Sequence, residues 1–421
     1  MSEAWRTREL TEEELDELSA TSPAGGFQQT SRFVEMEKAS GTQTEIVGLV
    51  DEHDRPVAGT LVAYTPGKMG VQGSVWLGPL VDADNPAMVT AMTGALRASA
   101  KRHGAISVAA WPGDLYRKYT SDGEPDGQPE AALMENYGNA GWRHEGFTRG
   151  YGSIINNWVY VKDLTGLDTP DALLKTYSKN TRRNVKIARN SAVQVRRMDR
   201  AELDVFHAIC ELSSEKQHFQ NRDLAYFQRL YDAFGDHADF MVAEIHLDDY
   251  LAGWEDKLAK FSRDETRLEK SLQTTKYPED VERKLKTAKQ NVESAHRRIA
   301  DAKQRIERDG HVVPAAVGLF IWHERELVYY SSGSDERYAK FYAPTALQHE
   351  MMSRAIARGL NRYNFYGISG IFDDPSDPGR GVLEFKQGFN GYVEELPGQF
   401  TLPVSKLRFA ALQAAHKVLG R

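Results

Sequence analysis

The stretch from Trp254 to Asp309 contains no glycine and is dominated by Lys, Glu, Arg and Gln. Its second half carries Val281, Leu285, Ala288, Val292, Ala295, Ile299, Ala302 and Ile306, spaced 4-3-4-3-4-3-4. That alternation keeps one helix face apolar, as in the seam of a coiled coil, whereas a strand would need period two. Leu258, Phe261, Leu268 and Leu272 repeat the pattern in the first half, with Glu265 at one seam position. Pro278 divides the halves, and proline is at home only in the first turn of a helix. The pattern predicts two antiparallel helices joined at Thr274–Asp280, a helical hairpin rather than one long helix.

Its flanks say how the hairpin is attached. Phe240–Ile245 reads as a strand before it, and Pro314–Trp322 and Glu326–Ser332 read as paired strands after it, around the turn His323–Arg325. The hairpin is therefore an insertion between consecutive strands, and an insertion with close ends projects from a fold without disturbing it. Elsewhere the chain is mixed α/β. Strands are expected at Thr44–Val50, Val57–Tyr64, Ala105–Ala110 and Trp158–Val161, and helices at Pro86–Arg102, around Pro170–Asn190 and at Leu224–Phe234. Ser121–Glu130 and Phe372–Gly381 read as loops, Ala346–Gly359 as a helix, Tyr363–Tyr366 as a strand, and Glu384–Lys386 as a further short strand.

Composition narrows the function. Among 421 residues the single cysteine, Cys210, excludes an internal disulfide framework and a Cys-rich metal site, and a reducing compartment fits best. No run of about 18 apolar residues suggests a membrane span, and Met1–Leu18 lacks the apolar core of a signal peptide, so a cytoplasmic protein is expected. The net charge of −7 argues against a protein that coats nucleic acid, but it is unevenly spread. Residues 254–309 hold 15 Lys plus Arg against 12 Asp plus Glu, so the hairpin is +3 and the remainder −10. No HExxH, P-loop or Rossmann glycine fingerprint occurs, and Gly367-Ile368-Ser369-Gly370 is not a nucleophile elbow. Without a nucleophile or metal site, positioning and electrostatic stabilisation become the default catalytic devices.

The densest motifs lie between Tyr329 and Gly391, where YNFYGISG is followed by an acidic loop and then FKQGFNG. Upstream stand Gln29-Thr30 in FQQTSRF, WLGPLVD at Trp76–Asp82, SKNTRRNVKIA at Ser178–Ala188, and Phe219-Gln-Asn-Arg222 with Tyr226. In this order they resemble the Fem family of peptidoglycan peptidyltransferases over nearly the whole chain.

The resemblance implies two tandem GNAT-like subdomains, an α/β (α+β) fold, with an antiparallel coiled-coil arm inserted in the second. The implied boundaries are 1–150 for the first, 151–253 and 310–402 for the second, 254–309 for the arm, and 403–421 for a basic amphipathic C-terminal helix. It implies transfer of an amino acid from aminoacyl-tRNA to an amine on a lipid-linked or nucleotide-linked peptidoglycan precursor, building the interpeptide bridge. No cofactor or metal is implied. Homologous bridge-forming transferases are expected partners, and a peripheral contact with the inner face of the membrane is an expected location.

Lys386, beside Phe385, matches the family's catalytic-site lysine, whose cation can stabilise the oxyanion formed when an ester is attacked. Arg222 and Tyr226 match precursor-binding positions; a structural ion pair is the competing reading of Arg222. Tyr329 or Tyr330 matches another binding tyrosine, and because adjacent strand residues face opposite ways one of the two belongs to the core. Two positions depart from the family. Its lysine after the QS/QT motif aligns with Glu37, leaving Lys38 next to it, and the aspartate of its IDP segment is Trp111, with Asp114 the nearest substitute.

Lys179, Arg182, Arg183 and Lys186 form one stripe of a helix, extended by Arg189, and read equally as a solvated face or as a phosphate contact with tRNA or precursor. The C-terminal stretch reads as docking on the body, with membrane contact as the alternative. Two other functions compete. A GNAT-like enzyme drawing on an acyl-coenzyme A usually needs a Gly-rich pyrophosphate loop opening a helix, and no RxxGxG/A-like segment is present. A non-enzymatic scaffold acting through its arm should lose all function when the arm is deleted.

Overall fold

The computed structural model describes residues 5–67, 70–151, 154–217, 221–405 and 408–410. Two mixed sheets repeat one topology. The first holds Arg6–Glu9, Gln43–Val50, Pro56–Gly67, Gly70–Trp76, Ala105–Trp111, Phe400–Pro403 and Arg143–His144, in that spatial order. The second runs Val193–Arg197, Ala238–His246, Val312–Trp322, Leu327–Ser334, Arg362–Gly367, Trp158–Asp163, Tyr392–Glu395 and Arg117–Tyr119.

In each sheet four strands pair antiparallel, with two helices between the first and second: Glu12–Thr21 and Ser31–Ala39, or Leu203–Gln217 and Leu224–Phe234. A crossover helix, Pro86–Arg102 or Ala343–Ala357, then delivers a fifth strand parallel to the fourth. Parallel neighbours cannot be joined by a tight turn, so the helix is the obligatory connection. This is the expected tandem GNAT-like architecture.

The sheets do not divide the chain at residue 150. Arg117–Tyr119 pairs with Tyr392–Glu395 in the second sheet, and Phe400–Pro403 pairs with Ala105–Trp111 in the first. Each half thus lends a strand to the other, which periodicity along the chain cannot show. A central core also spans them. Phe27, Phe33 and Leu61 pack with Phe206, Phe227 and Phe240, and the Phe27 ring lies 6.0 Å from that of Phe234. Polar links cross the same boundary, Ser19 Oγ to His323 Nε2 at 3.0 Å and Arg325 Nη1 to the Gly25 carbonyl at 3.0 Å.

The arm comprises the helices Leu247–Leu272 and Pro278–Asp309, with Pro278 in the first turn of the second. It stands between Ala238–His246 and Val312–Trp322, where the first sheet has only the turn Asp51–Arg55. Ala288, Ala295 and Ala302 are buried at seven-residue intervals, small side chains that let the helices close together. The arm begins seven residues earlier than the glycine-free stretch, because Gly253 is tolerated inside its first helix at a cost of about 1 kcal/mol. Its ends meet where the Leu247 N–H donates to the His311 carbonyl at 2.8 Å. Most of the expected C-terminal helix lies outside the described residues; of it, Phe409 is buried against Ile106.

Candidate functional site

The two parallel strand pairs differ where it matters. In the first sheet pairing runs from Val71–Ala105 to Trp76–Trp111, whose indoles stack at 5.0 Å and close the end. In the second it covers only Leu327–Tyr363 and Val328–Asn364 before the strands part. Tyr366 then takes a left-handed conformation, φ 63°, with its N–H held by Asn364 Oδ1 at 2.8 Å. A tyrosine there stores about 1–3 kcal/mol, strain that concentrates at functional sites. Clefts at the carboxyl ends of parallel strands are where open α/β sheets bind ligands.

Lys386 sits at this opening. The segment expected as a short strand is instead a helix, Arg380–Gln387. Three residues cannot reveal a period; the helix declares itself through Leu383 and Lys386, buried one turn apart, and the Arg380–Glu384 pair at 2.8 Å across i,i+4. Gly388 closes it, and a Cβ there would meet the Thr181 hydroxyl at 2.3 Å. Only 4% exposed, Lys386 donates from Nζ to the Gly367 carbonyl at 2.5 Å and the Tyr366 carbonyl at 3.2 Å. Burial disfavours the ammonium and pulls its pKa down to about 7. An ammonium has three N–H donors, so one is left for a ligand. Phe385, partly buried, packs its ring on Phe389 at 5.4 Å and helps anchor this helix.

From Tyr366 a line of aromatic rings leads to a cation. The Tyr366 ring lies 5.4 Å from Tyr330, the Tyr330 and Tyr226 hydroxyls share a hydrogen bond of 2.7 Å, and the Arg222 guanidinium lies 5.0 Å from the Tyr226 ring centre. Burial, and then Tyr330, raises the Tyr226 hydroxyl well above its usual range. Arg222 is exposed and precedes the helix Leu224–Phe234, which is capped by Asp223. Of the two adjacent tyrosines, Tyr330 belongs to this line, while Tyr329 stacks on Phe320 at 5.2 Å in the core of the second half.

Lys38 points elsewhere, to Glu12 at 2.7 Å on the surface. Glu37 takes its place: half-buried, hydrogen-bonded to Thr42, raised by burial and opposed by the charges of Arg222 and Arg229. The helix Lys179–Asn190 packs next to the Lys386 helix, with the Ser178 N–H on the Gly388 carbonyl at 2.9 Å. Lys179, Arg183 and Lys186 are exposed on it, and Arg182 reaches back to the Lys175 carbonyl.

Sequence reasoning missed Tyr366 as a site residue, and also the ion network beside it. Arg362 is held by Glu394 at 2.6 and 2.7 Å and by Glu326 at 2.7 Å, lining with Arg325, Asn364 and Tyr366 a groove of about 240 Å³ between the halves. The strand RYNFYG carries alternating polar residues that could have shown it.

A duplicated GNAT-like fold with one of its two strand pairs sprung open around a buried lysine, and an arm in place of a turn, defines the class. The chain belongs to the FemAB family, whose model matches residues 10–417. It is similar to Aminoacyltransferase FemA of Staphylococcus aureus strain bovine RF122 / ET3-1, 27% identical over 416 residues and covering 98% of both chains. The FemA of Staphylococcus aureus strain N315 is equally similar, 27% identical over 98% of both chains. Among solved structures the crystal structure of FemX shares the fold, with a TM-score of 0.78 at 18% identity over 99% of this chain and 100% of that one.

Proposed function

We propose that the chain is an aminoacyltransferase that moves an amino acid (Gly, Ala or Ser) from aminoacyl-tRNA to an amine of the peptidoglycan-precursor stem peptide, forming the interpeptide bridge. The observation that carries the reading is Lys386, buried at the mouth of the parted strands with one donor unspent. The acceptor amine attacks the ester carbon of the aminoacyl-tRNA, the carbonyl oxygen becomes an oxyanion, and the ester C–O bond then breaks. The displaced tRNA ribose oxygen takes up the proton that the amine gives up. The free N–H of Lys386 stabilises the oxyanion, and its two carbonyl contacts hold it without reorganisation. The ester supplies the driving force, so the reading needs no cofactor.

Arg222, Tyr226 and Tyr330 hold the phosphorylated end of the precursor, since an exposed guanidinium beside hydroxyl groups suits phosphate oxygens. The exposed stripe Lys179, Arg183 and Lys186 borders the Lys386 helix and suits the tRNA backbone. No helix among the described residues is long and apolar enough to cross a membrane.

The test is transfer with a mixture of charged tRNAs and a lipid-linked precursor, followed by mass measurement of the product. A mass gain of one or more amino-acid residues on the stem peptide is expected. An unchanged precursor mass, or transfer only when an acyl-coenzyme A is supplied, overturns the reading.

A further inference from the structure

Two motifs of the first half, FQQTSRF and WLGPLVD, take no part in the transfer site, and they meet each other at Gln29. This side chain is buried. Its Nε2 donates to the Trp76 carbonyl at 2.7 Å, while its Oε1 accepts from the Leu61 N–H at 2.8 Å and the Thr60 hydroxyl at 3.1 Å. Gly78 makes room for it, since a Cβ there would come within 2.8 Å of Gln29 Nε2. Three of the four hydrogen bonds open to a glutamine amide are spent inside the fold, so what Gln29 supplies is rigidity.

It pins the tight turn Phe27–Gln29 to the closed end of the first sheet, where Trp76 stacks on Trp111. Thr30 Oγ1 holds the other side of the turn by donating to the Phe27 carbonyl at 2.7 Å. The turn directs the buried Phe27 ring into the second half. There it stands edge-on to Tyr330 at 5.4 Å and to Phe234 at 6.0 Å. Tyr330 lies on the strand Leu327–Ser334, and Phe234 ends the helix Leu224–Phe234 that carries Tyr226. Phe27 therefore touches both elements that supply the 2.7 Å hydroxyl pair. Two phenols on separate elements keep such a bond only while both rings hold their rotamers, and an edge-on third ring favours one orientation over the others.

We propose that Phe27 is a positioning residue for the precursor site, fixed by Gln29 and Thr30 and holding Tyr330 against Tyr226. The first half, whose own strand pair is closed, then serves the open one as a brace. This rests on the reading of Tyr226 and Tyr330 as precursor contacts, whereas the brace itself is a matter of ring geometry and can be measured without the reaction.

Fluorine NMR of the full chain with 3-fluorotyrosine at position 330 reports that ring. One narrow resonance is expected from the parent and from Thr30→Ser, which keeps a hydroxyl for the Phe27 carbonyl. Thr30→Val, of the same shape without the hydroxyl, should broaden or split it, as should Gln29→Met and Phe27→Leu. In transfer assays Phe27→Leu should raise the KM for precursor about three- to tenfold, the worth of one ordinary hydrogen bond, with kcat within about twofold. In a Tyr330→Phe background it should add less than about twofold, because one contact is not lost twice. Where Gln29→Met or Phe27→Leu does not fold, the Thr30 pair decides. A single narrow resonance in any folded one of the three variants overturns the proposal, as do KM effects of Phe27→Leu and Tyr330→Phe that multiply. A parent that transfers nothing fails the proposed reaction instead, and the resonance still decides the brace.

Discussion

Replacing Lys386 with methionine separates chemistry from stability. The pKa of Lys386 falls from an ordinary 10.5 to about 7, so forcing the ammonium into this site costs about 5 kcal/mol below pH 7. Methionine removes that cost and fills most of the volume. It also strips a donor from the carbonyls of Gly367 and Tyr366, at about 1–3 kcal/mol each. The two effects nearly cancel, so Lys386→Met should unfold in urea at pH 7 within about 2 kcal/mol of the parent. Transfer should nevertheless fall by about 10²–10³ in kcat, the usual loss of one oxyanion donor, with the KM for precursor little changed.

The pH dependence gives a second readout. Between about 7 and 10.5 the unfolded parent holds a proton on Lys386 that the folded parent has released, so the parent gains stability as pH rises through that window. From pH 7 to 9 it should gain about 2 kcal/mol on the methionine variant, and below about pH 6 the difference should be flat. Kcat within threefold of the parent, or a stability difference that ignores pH from 7 to 9, would refute the reasoning.

Other perturbations probe the surroundings. Tyr226→Phe and Tyr330→Phe each remove one end of the 2.7 Å hydroxyl pair; each should raise the KM for precursor several-fold, and the double variant should do little more, because both changes break one interaction. Arg362→Leu leaves Glu326 and Glu394 buried without their cation and should cost about 3–5 kcal/mol in urea unfolding. Ala295→Leu places a large side chain where the arm helices leave no room and should cost about 1–3 kcal/mol of arm stability, read by hydrogen exchange across 247–309, with exchange in the sheets unchanged.

The arm was the most legible part of the sequence. Its apolar seam repeats over eight positions, and Pro278 has only one comfortable place in such a pattern. Its start was not legible, because Gly253 looks like punctuation while Leu247–Leu272 carries the helix straight through it. The motif marks Lys386 but not its local structure, since Glu384–Lys386 is too short to show a period and the helix runs between Gly379 and Gly388. Tyr330 and Tyr329 could be divided only in the abstract; which one joined Tyr226 depended on how Leu224–Phe234 packs against a strand more than a hundred residues later. The exchange of Arg117–Tyr119 and Phe400–Pro403 between sheets left no local trace at all. Tyr366 escaped notice because its role comes from a left-handed turn where the strands part, and tyrosine is not a residue that advertises such a turn.

The central claim is that an amino acid reaches the precursor from tRNA under the influence of Lys386. The direct measurement is incorporation of a labelled amino acid into lipid-linked precursor, with and without ribonuclease, by the parent and by Lys386→Ala. Incorporation that ribonuclease abolishes and that the alanine variant lowers at least roughly a hundredfold is the predicted result. Incorporation indifferent to ribonuclease, or undiminished in Lys386→Ala, contradicts the account.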